Sequence, residues 1–424
     1  MKSFYRLCFY ISYSLLLILF IDSRMLKPSI GYYDIYSWFY SALWLFLGIP
    51  FLKDVFSRGF KVNKNIGKIY FVFIAYFFVF IVLSLFLSKM ESEVTREVLW
   101  YIRFLSALLL TIFWINKLKV EKFFIIISSL IPLIMISIMF VNAGAPLEVF
   151  SHLDSILGSI GRFRLDFGYY HVNGLGNLCL CSIVVSTIAL YILKNIKVIN
   201  VFFNIILSIS IVVMDIISII VLLSTASRTS ILALVIFVLF LSYFVITNTN
   251  KINKNLRLTL KIIILVISIE VIMFVLLEQL SGLFVDSNRM KNIVINMPLL
   301  TENGRWLIGL GLFDPGLFGT SRTVYGDSYY VDNYYLCVLL ETGIIGLIFV
   351  VYLLVMIGAK LFKSNNINKD LISYIITAMF ISQLITGTGE TGVISYLFPS
   401  SIIYFTIYFL HIDTSISTRL KIIG

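Results

Sequence analysis

The chain has 424 residues, of which 60% are hydrophobic and only 13% are charged, and its formal net charge is +11. So few charged residues cannot cover a water-soluble globule of this length, which excludes an ordinary soluble fold. Apolar runs of about 18 residues or more predict membrane-spanning helices, and such runs recur along the chain. We therefore predict an all-α polytopic membrane protein with about twelve spans, near residues 4–21, 35–52, 69–88, 98–115, 123–141, 171–193, 201–223, 230–247, 260–280, 333–359, 371–387 and 394–410.

Basic residues predict the orientation of these spans. With both termini in the cytoplasm, the cytoplasmic connections hold most of the 33 Lys and Arg residues, as the positive-inside rule requires. The net charge is thus a topology signal, and no nucleic-acid binding is expected. The basic residues predicted outside are mainly arginines, which suit bidentate binding of phosphate or carboxylate, although pairing with outer acidic residues is the alternative. They are Arg24, Arg96, Arg103, Arg162, Arg164, Arg228, Arg289, Arg305 and Arg322.

Two external segments exceed ordinary loop length within what we predict to be a single membrane domain, residues 1–424. Residues 142–170 carry apolar residues at helical spacing and predict a short helix on the membrane surface. Residues 281–332 form the largest external loop, with an amphipathic helix predicted to end at Pro298 and a glycine-rich part from Asn303. Because long loops in compact proteins are usually functional, residues 281–332 are the candidate active-site cover.

The first of three polar segments is FRLDFGYYHVNGLGNLCL, residues 163–180. It brings Arg164, His171 and Asn173 to the outer mouth of the sixth predicted span. Such residues are candidates for substrate binding. The alternative is a polar interfacial entry to a helix, with Tyr169 and Tyr170 at the level of the lipid headgroups.

The second segment is STASRTSILAL, residues 224–234, where two apolar runs meet at an outer turn. Arg228 stands at the start of the eighth predicted span, where exposed helix amides also favour an anion. A charged residue held between two spans is by default a functional-site hypothesis.

The third segment is DSYYVDNYYLCVLLETGIIGLIFVVYLL, residues 327–354. It places Asp332 and Asn333 where the large loop enters the tenth predicted span, with Glu341 about two turns deeper. Asp332 is predicted to be either the N-cap of this helix or a general base.

Together these segments resemble the O-antigen polymerase and ligase superfamily, the Wzy-type enzymes of bacterial cell-surface polysaccharide assembly. The resemblance covers roughly residues 160–355 and rests on the FGYYHVN opening, the SRT turn, and DNYYL…ETGIIGL after a large external loop. Two positions depart from the family pattern. Asp332 stands where a typical ligase has His, and Val172 stands where the His-Pro-Asn motif has Pro, and the first departure favours a polymerase.

The resemblance implies a membrane-embedded glycosyltransferase of the C type that needs no cofactor or metal. It would move a growing glycan from undecaprenyl diphosphate onto a sugar hydroxyl of a lipid-linked repeat unit, at the outer face of the bacterial cytoplasmic membrane. The implied partners are undecaprenyl-diphosphate-linked oligosaccharides, the lipid bilayer, and flippase and chain-length regulator proteins.

The candidate residues fit this chemistry. Guanidinium groups can stabilise the negative charge that develops on a leaving diphosphate, and a carboxylate can accept the proton of the acceptor hydroxyl. Asp332 is the candidate catalytic base. The candidate diphosphate-binding residues are Arg164, Arg228, Arg289 and Arg305, and the further substrate-site candidates are His171, Asn173, Asn333, Glu341 and Arg322.

Two alternatives remain open at this point. One is a ligase that moves the glycan to a different acceptor. The other is a lipid-linked oligosaccharide flippase, which belongs to a class that places ionisable groups near the bilayer midplane, often in repeated halves. Only Asp215 and Glu270 lie in the middle of predicted spans, and the sequence has no visible repeat.

Overall fold

The computed structural model describes most of the predicted helical segments. The described residues are 2–25, 44–45, 47–53, 56–57, 64–87, 92–143, 164–195, 201–248, 255–267, 269–270, 296–311, 320–323, 326–329, 333–368, 370–389, 393–394 and 399–412. The main elements in these ranges are α1 (Lys2–Asp22), α2 (Lys64–Leu87), α3 (Ser92–Leu118), α4 (Glu121–Asn142), α5 (Val172–Asn195), α6 (Val201–Ser224), α7 (Arg228–Asn248), β1 (Thr320–Thr323), β2 (Gly326–Tyr329), α8 (Tyr334–Asn368), α9 (Leu371–Thr386) and α10 (Pro399–Ile412).

Helices long and apolar enough to cross a bilayer dominate the described part of the chain. Six helices meet this description there, namely α1, α4, α5, α6, α7 and α8. Shorter apolar helices lie at Gly67–Val79 within α2, in α9 and in α10. This is the architecture of a multi-pass helical membrane protein, as the sequence predicts. The number of about twelve spans stays a prediction, because several predicted spans extend outside the described residues.

A short hairpin lies in the predicted large external loop. β1 and β2 pair in antiparallel register, with Thr320 opposite Tyr329 and Arg322 opposite Asp327. The sequence did not predict these strands, because TSRT and GDSY lack the alternation of apolar and polar residues that indicates a half-buried strand.

The chain divides into two compact units, each assembled from separated segments. Unit 1 comprises Met1–Asn63, Leu105–Leu234 and Leu397–Gly424, and unit 2 comprises Lys64–Phe104 and Val235–Tyr396. The single membrane domain stays a prediction.

Unit 1 is built around α5, which packs against α4 and α6 and also contacts α10. Most residues of α5 are buried, as expected of a helix that is apolar or small on every face. Its core includes Leu175, Leu178 and Cys179 of α5, packed with Ile136 of α4 and Val221 of α6. The helix that carries Asn173 is therefore enclosed by other helices of this unit along most of its length.

The predicted cytoplasmic and outer segments of unit 1 lie at opposite ends of α1. At one end, the Arg6 guanidinium donates to the carbonyl of Leu118, 3.1 Å away. At the other end, the Tyr170 amide donates to the carbonyl of Arg24. The helix between them has 21 residues and is about 30 Å long. Leu118 and Tyr170 therefore lie at opposite ends of α1, while the orientation of the spans stays a prediction.

Unit 2 packs α2 and α9 against α8. Asp370 is the N-cap of α9, since its carboxylate accepts from the Ser373 amide at 2.9 Å. Asn365 near the end of α8 donates to Thr377 of α9 at 2.8 Å. The first amide of α8, that of Tyr334, donates to Gly387 just beyond α9 at 2.9 Å. α8 and α9 are thus antiparallel neighbours.

The orientation can be tested by cysteine labelling in a chain whose native cysteines are replaced by alanine. We expect Tyr170→Cys and Glu302→Cys to react with an impermeant maleimide in sealed cells, because both positions are exposed and predicted outside. Lys117→Cys and Lys363→Cys are also exposed but should react only after the membrane is opened. Reaction of Lys117→Cys and Lys363→Cys in sealed cells would contradict the predicted orientation.

Candidate functional site

The predicted outer end of unit 1 brings the first two polar segments into direct contact. The Leu165 amide donates to the carbonyl of Ser224 at 3.1 Å. The Arg164 Nε donates to the carbonyl of Thr225 at 3.1 Å, and the Arg164 Nη2 donates to Oδ1 of Asn173. One guanidinium therefore joins the entry of α5 to the turn between α6 and α7.

Side-chain hydroxyls stabilise that turn. The Ser224 hydroxyl donates to the carbonyl of Ile220, and the Thr225 hydroxyl donates to that of Leu222. The Ser227 amide donates back to Oγ1 of Thr225 at 3.3 Å, and Ala226 has a positive φ of 47°. Ser and Thr side chains satisfy backbone groups in this way at helix ends. The serines and threonines of STASRTS therefore allow two spans to meet with only three residues between them.

A glycine of α5 allows the turn to approach closely. A Cβ on Gly176 would lie 2.8 Å from Cβ of Ser227 and 3.1 Å from the hydroxyl oxygens of Ser227 and Ser230. Those two hydroxyls are hydrogen bonded to each other at 3.1 Å, and both serines are buried. Gly176 thus determines how near Asn173, one turn earlier on α5, comes to the turn.

Arg228 is the first residue of α7 and is partly exposed. Helix N-termini carry partial positive charge, so a cation there is electrostatically unfavourable, whereas an anion would be attracted to both the guanidinium and the helix amides. The position is therefore suited to binding an anionic group.

The loop that precedes α5 is folded on itself. The Asp166 carboxylate accepts from the Gly168 amide at 2.8 Å, while Phe167 and Gly168 have φ values of 51° and 80°. Tyr169 is buried, and burial raises the pKa of its hydroxyl. His171 is partly exposed, and its carbonyl accepts from the Leu175 amide in the first turn of α5. Arg164 precedes this turn in the chain, and His171 follows it.

In unit 2, Asn333 is the N-cap of α8. Its Oδ1 accepts from the Leu336 amide at 3.0 Å, and its Nδ2 donates to the carbonyl of Thr388 at 3.0 Å. Asp332 itself lies outside the described residues, but the capping role considered for it belongs to the next residue. The contact with Thr388 could not be predicted from the sequence, because it uses a backbone carbonyl in a turn between two predicted spans.

Arg305 follows a helical stretch in the predicted large external loop. Residues 296–302 are helical, so the prediction that this helix ends at Pro298 is wrong. Proline removes its own N–H and disturbs the preceding turn, but it does not prevent helix on its C-terminal side. The stretch ends instead at Gly304, which has a φ of 60°, and the Arg305 amide donates to the carbonyl of Leu300 at 2.8 Å.

Glu341 and Arg305 belong to the same packed region of unit 2. Residues 305–311 run along α8, where the Leu310 amide donates to the carbonyl of Leu340 and the Gly311 amide donates to that of Glu341. Glu341 and Arg305 are both partly buried. Three predicted substrate-site residues are therefore associated with α8. Asn333 caps it, Glu341 lies in it, and Arg305 belongs to the segment that is hydrogen bonded to it.

The other predicted residues are Arg322, Arg289 and the two mid-span acids. Arg322 lies on β1 opposite Asp327 of β2, and Arg289 lies outside the described residues. Of the two mid-span acids, Asp215 accepts from the Ser186 hydroxyl at 2.7 Å within unit 1, and Glu270 is exposed in unit 2. In the part of the chain that the structure describes, no group of three or more His, Cys, Asp or Glu side chains could hold a metal ion.

The close packing at Gly176 gives a stability prediction. Gly176→Ala places a methyl group against Ser227 and should lower the free energy of unfolding by about 1–3 kcal/mol. The matched control is Gly67→Ala in α2, where nothing lies within 4 Å of the added Cβ and alanine is the better helix former. Thermal unfolding of the purified variants in detergent measures both, and equal midpoints for Gly176→Ala and wild type would contradict the described packing.

Neither a family model nor a curated protein matches this sequence.

Proposed function

We propose that the chain is a polysaccharide polymerase, a glycosyltransferase that moves a growing glycan from undecaprenyl diphosphate to a sugar hydroxyl of a lipid-linked repeat unit. The observation that carries the proposal is the contact of Arg164 with Asn173 and with the turn that bears Arg228. It joins two of the three segments on which the family resemblance rests, and it places two guanidinium groups at one end of unit 1.

The proposed reaction breaks the bond between the sugar C1 and the diphosphate oxygen. An acceptor hydroxyl oxygen attacks C1, its proton passes to a carboxylate, and undecaprenyl diphosphate leaves with the negative charge. Groups that are already oriented stabilise such charge best. The guanidinium of Arg164 is held by two hydrogen bonds, so it loses little conformational freedom when it binds an anion. Arg228 adds charge at a helix N-terminus.

Unit 2 contributes the groups proposed for the acceptor side. Asp332 would accept the proton, and Asn333 fixes the start of α8 directly after it. Arg305 and Arg289, on the predicted large external segment, are further proposed diphosphate-binding residues. The proposed site faces the outer side of the bacterial cytoplasmic membrane, where lipid-linked units are available after flipping.

A polymerase is favoured over the two alternatives by particular residues. A ligase of the resembled family has His at the position of Asp332, whereas an Asp there suits a carboxylate base. A flippase would be expected to have ionisable groups available near the midplane. Only Asp215 and Glu270 lie in the middle of predicted spans, the sequence has no visible repeat, and one oxygen of Asp215 accepts a hydrogen bond from Ser186.

The proposal predicts the effect of charge and geometry at Arg228. Arg228→Ala should abolish polymer, and Arg228→Lys should restore little, because an ammonium group cannot form the bidentate pair that a guanidinium forms with phosphate. Polymer length would be measured by gel in cells with matched protein levels. Arg419→Ala, the same chemical change at a predicted cytoplasmic position, serves as the control. Polymer of normal length in Arg228→Ala would exclude a role in diphosphate binding.

The proposal also predicts the effect of removing the base. Asp332→Asn should lower turnover by ~10²–10⁴-fold while substrate binding persists, because the amide lacks a basic oxygen and the arginines are unchanged. Asp370→Asn is the matched control. Asp370 caps α9, and Asn caps a helix about as well, so this variant should retain activity. Turnover near wild type in Asp332→Asn would transfer the role of base to His171 or Glu341.

A further inference from the structure

α8 contains a break in its hydrogen bonding. Gly343 has φ 67° and ψ −168°, so the helix cannot continue through it with regular bonds from each amide to the fourth carbonyl before it. Such a break leaves carbonyls before it and amides after it without partners inside the helix. Unsatisfied backbone groups within a membrane are costly, and irregular backbone is tolerated there only where protein or water supplies partners.

Residues 306–311 supply those partners. The amides of Leu310 and Gly311 donate to the carbonyls of Leu340 and Glu341, at 2.7 and 3.0 Å. In return, the amides of Ile344 and Ile345 donate to the carbonyls of Trp306 and Leu307, at 2.9 and 3.3 Å. We call the paired residues 306–311 and 340–345 the clasp. Its four hydrogen bonds satisfy both sides of the helix break.

Two glycines make this approach possible. Gly309 has a φ of 75°, and a Cβ on it would overlap the backbone of Glu341 and Thr342. Gly343 has a φ of 67°, and a Cβ on it would overlap the backbone of Leu307 and Ile308. Each glycine is therefore required for two reasons. Its positive φ is unfavourable for other residues, and a side chain at its position would collide with the opposite segment.

The clasp connects two residues of the proposed site. The Gly309 amide donates to the carbonyl of Arg305 at 2.7 Å, so Arg305 is joined directly to residues 306–311. Glu341 lies in residues 340–345. Buried contacts among Leu300, Leu310 and Leu340 hold the preceding helical stretch against α8 as well. Arg305 and Glu341 consequently belong to one hydrogen-bonded and packed region.

We propose that Gly309 and Gly343 are positioning residues for glycosyl transfer, and that they act by fixing Arg305 of the external segment relative to Glu341 of α8. This inference rests on the proposed function. Displacement of a substrate-binding group by about 1 Å can slow catalysis by about 10²-fold, so such fixation is relevant to rate.

The test compares Gly309→Ala with Gly304→Ala in the purified full-length protein. Both variants place alanine at a positive φ, but only Gly309→Ala meets the opposite backbone, because nothing lies within 4 Å of a Cβ on Gly304. Hydrogen exchange would be measured at the amides of residues 310, 311, 344 and 345. Turnover and KM would be measured with lipid-linked repeat units.

We expect slow exchange at these four amides in wild type and in Gly304→Ala, and at least about tenfold faster exchange in Gly309→Ala. The kcat of Gly309→Ala should fall by about 10²-fold, while its KM changes less than about threefold because the other arginines still bind the diphosphate. A merely structural role would lower the amount of folded protein without changing kcat per folded molecule.

Several results would overturn the inference. Rapid exchange of the four amides in wild type would show that the clasp is not formed, even if Gly309→Ala cannot be purified. Faster exchange in Gly309→Ala with an unchanged kcat would exclude the positioning role and leave the proposed function intact. A wild-type protein that forms no polymer would contradict the proposed function and with it the positioning role, whereas the exchange rates would still decide whether the clasp exists.

Discussion

The structure depends on one constraint, which is that backbone amides and carbonyls of a bilayer-embedded chain need hydrogen-bond partners within the protein. Regular helices meet this need internally, so the informative places are those where helices stop. At the turn between α6 and α7, the hydroxyls of Ser224 and Thr225 bond to backbone carbonyls. At the break in α8, residues 306–311 provide the partners. At the start of α8, Asn333 provides an acceptor and also bonds to Thr388.

The same places carry the residues of the proposed site. Arg228 begins α7, Arg164 bonds to the turn before it, and Glu341 lies beside the break in α8. Backbone amides and carbonyls at a helix end are satisfied here by small, hydroxylated or amide residues. Such residues also provide oriented polar groups, which can bind an anion or orient a carboxylate. The residues that satisfy backbone groups at these helix ends are therefore neighbours of the groups proposed to bind substrate.

The sequence predicted the helices well where apolar runs are long and uninterrupted. The spans predicted at 123–141, 171–193 and 201–223 correspond to α4, α5 and α6, with bounds that differ by at most two residues. Such runs are a local property, so no knowledge of packing is needed. For Arg164 and Asn173, the sequence predicted only that both lie on the outer side of the membrane. The hydrogen bond from Arg164 to Thr225, 61 residues away in the chain, could not be predicted from the motifs.

The clasp and the true cap of α8 could not be predicted, and the reasons are physical. Residues 306–311 bond to α8 through backbone atoms, which leave no side-chain pattern, and a glycine is compatible with many turns. Asp332 and Asn333 are both good N-cap residues, so composition alone could not distinguish them.

Glycosyl transfer between two lipid-linked units is the central claim, and one measurement tests it most directly. The purified protein, in lipid vesicles that contain undecaprenyl-diphosphate-linked repeat units and no other acceptor, should form a ladder of products that differ by one repeat unit. One undecaprenyl diphosphate should be released for each linkage. Movement of intact units across the bilayer without a ladder, or transfer only after a different acceptor is added, would contradict the account.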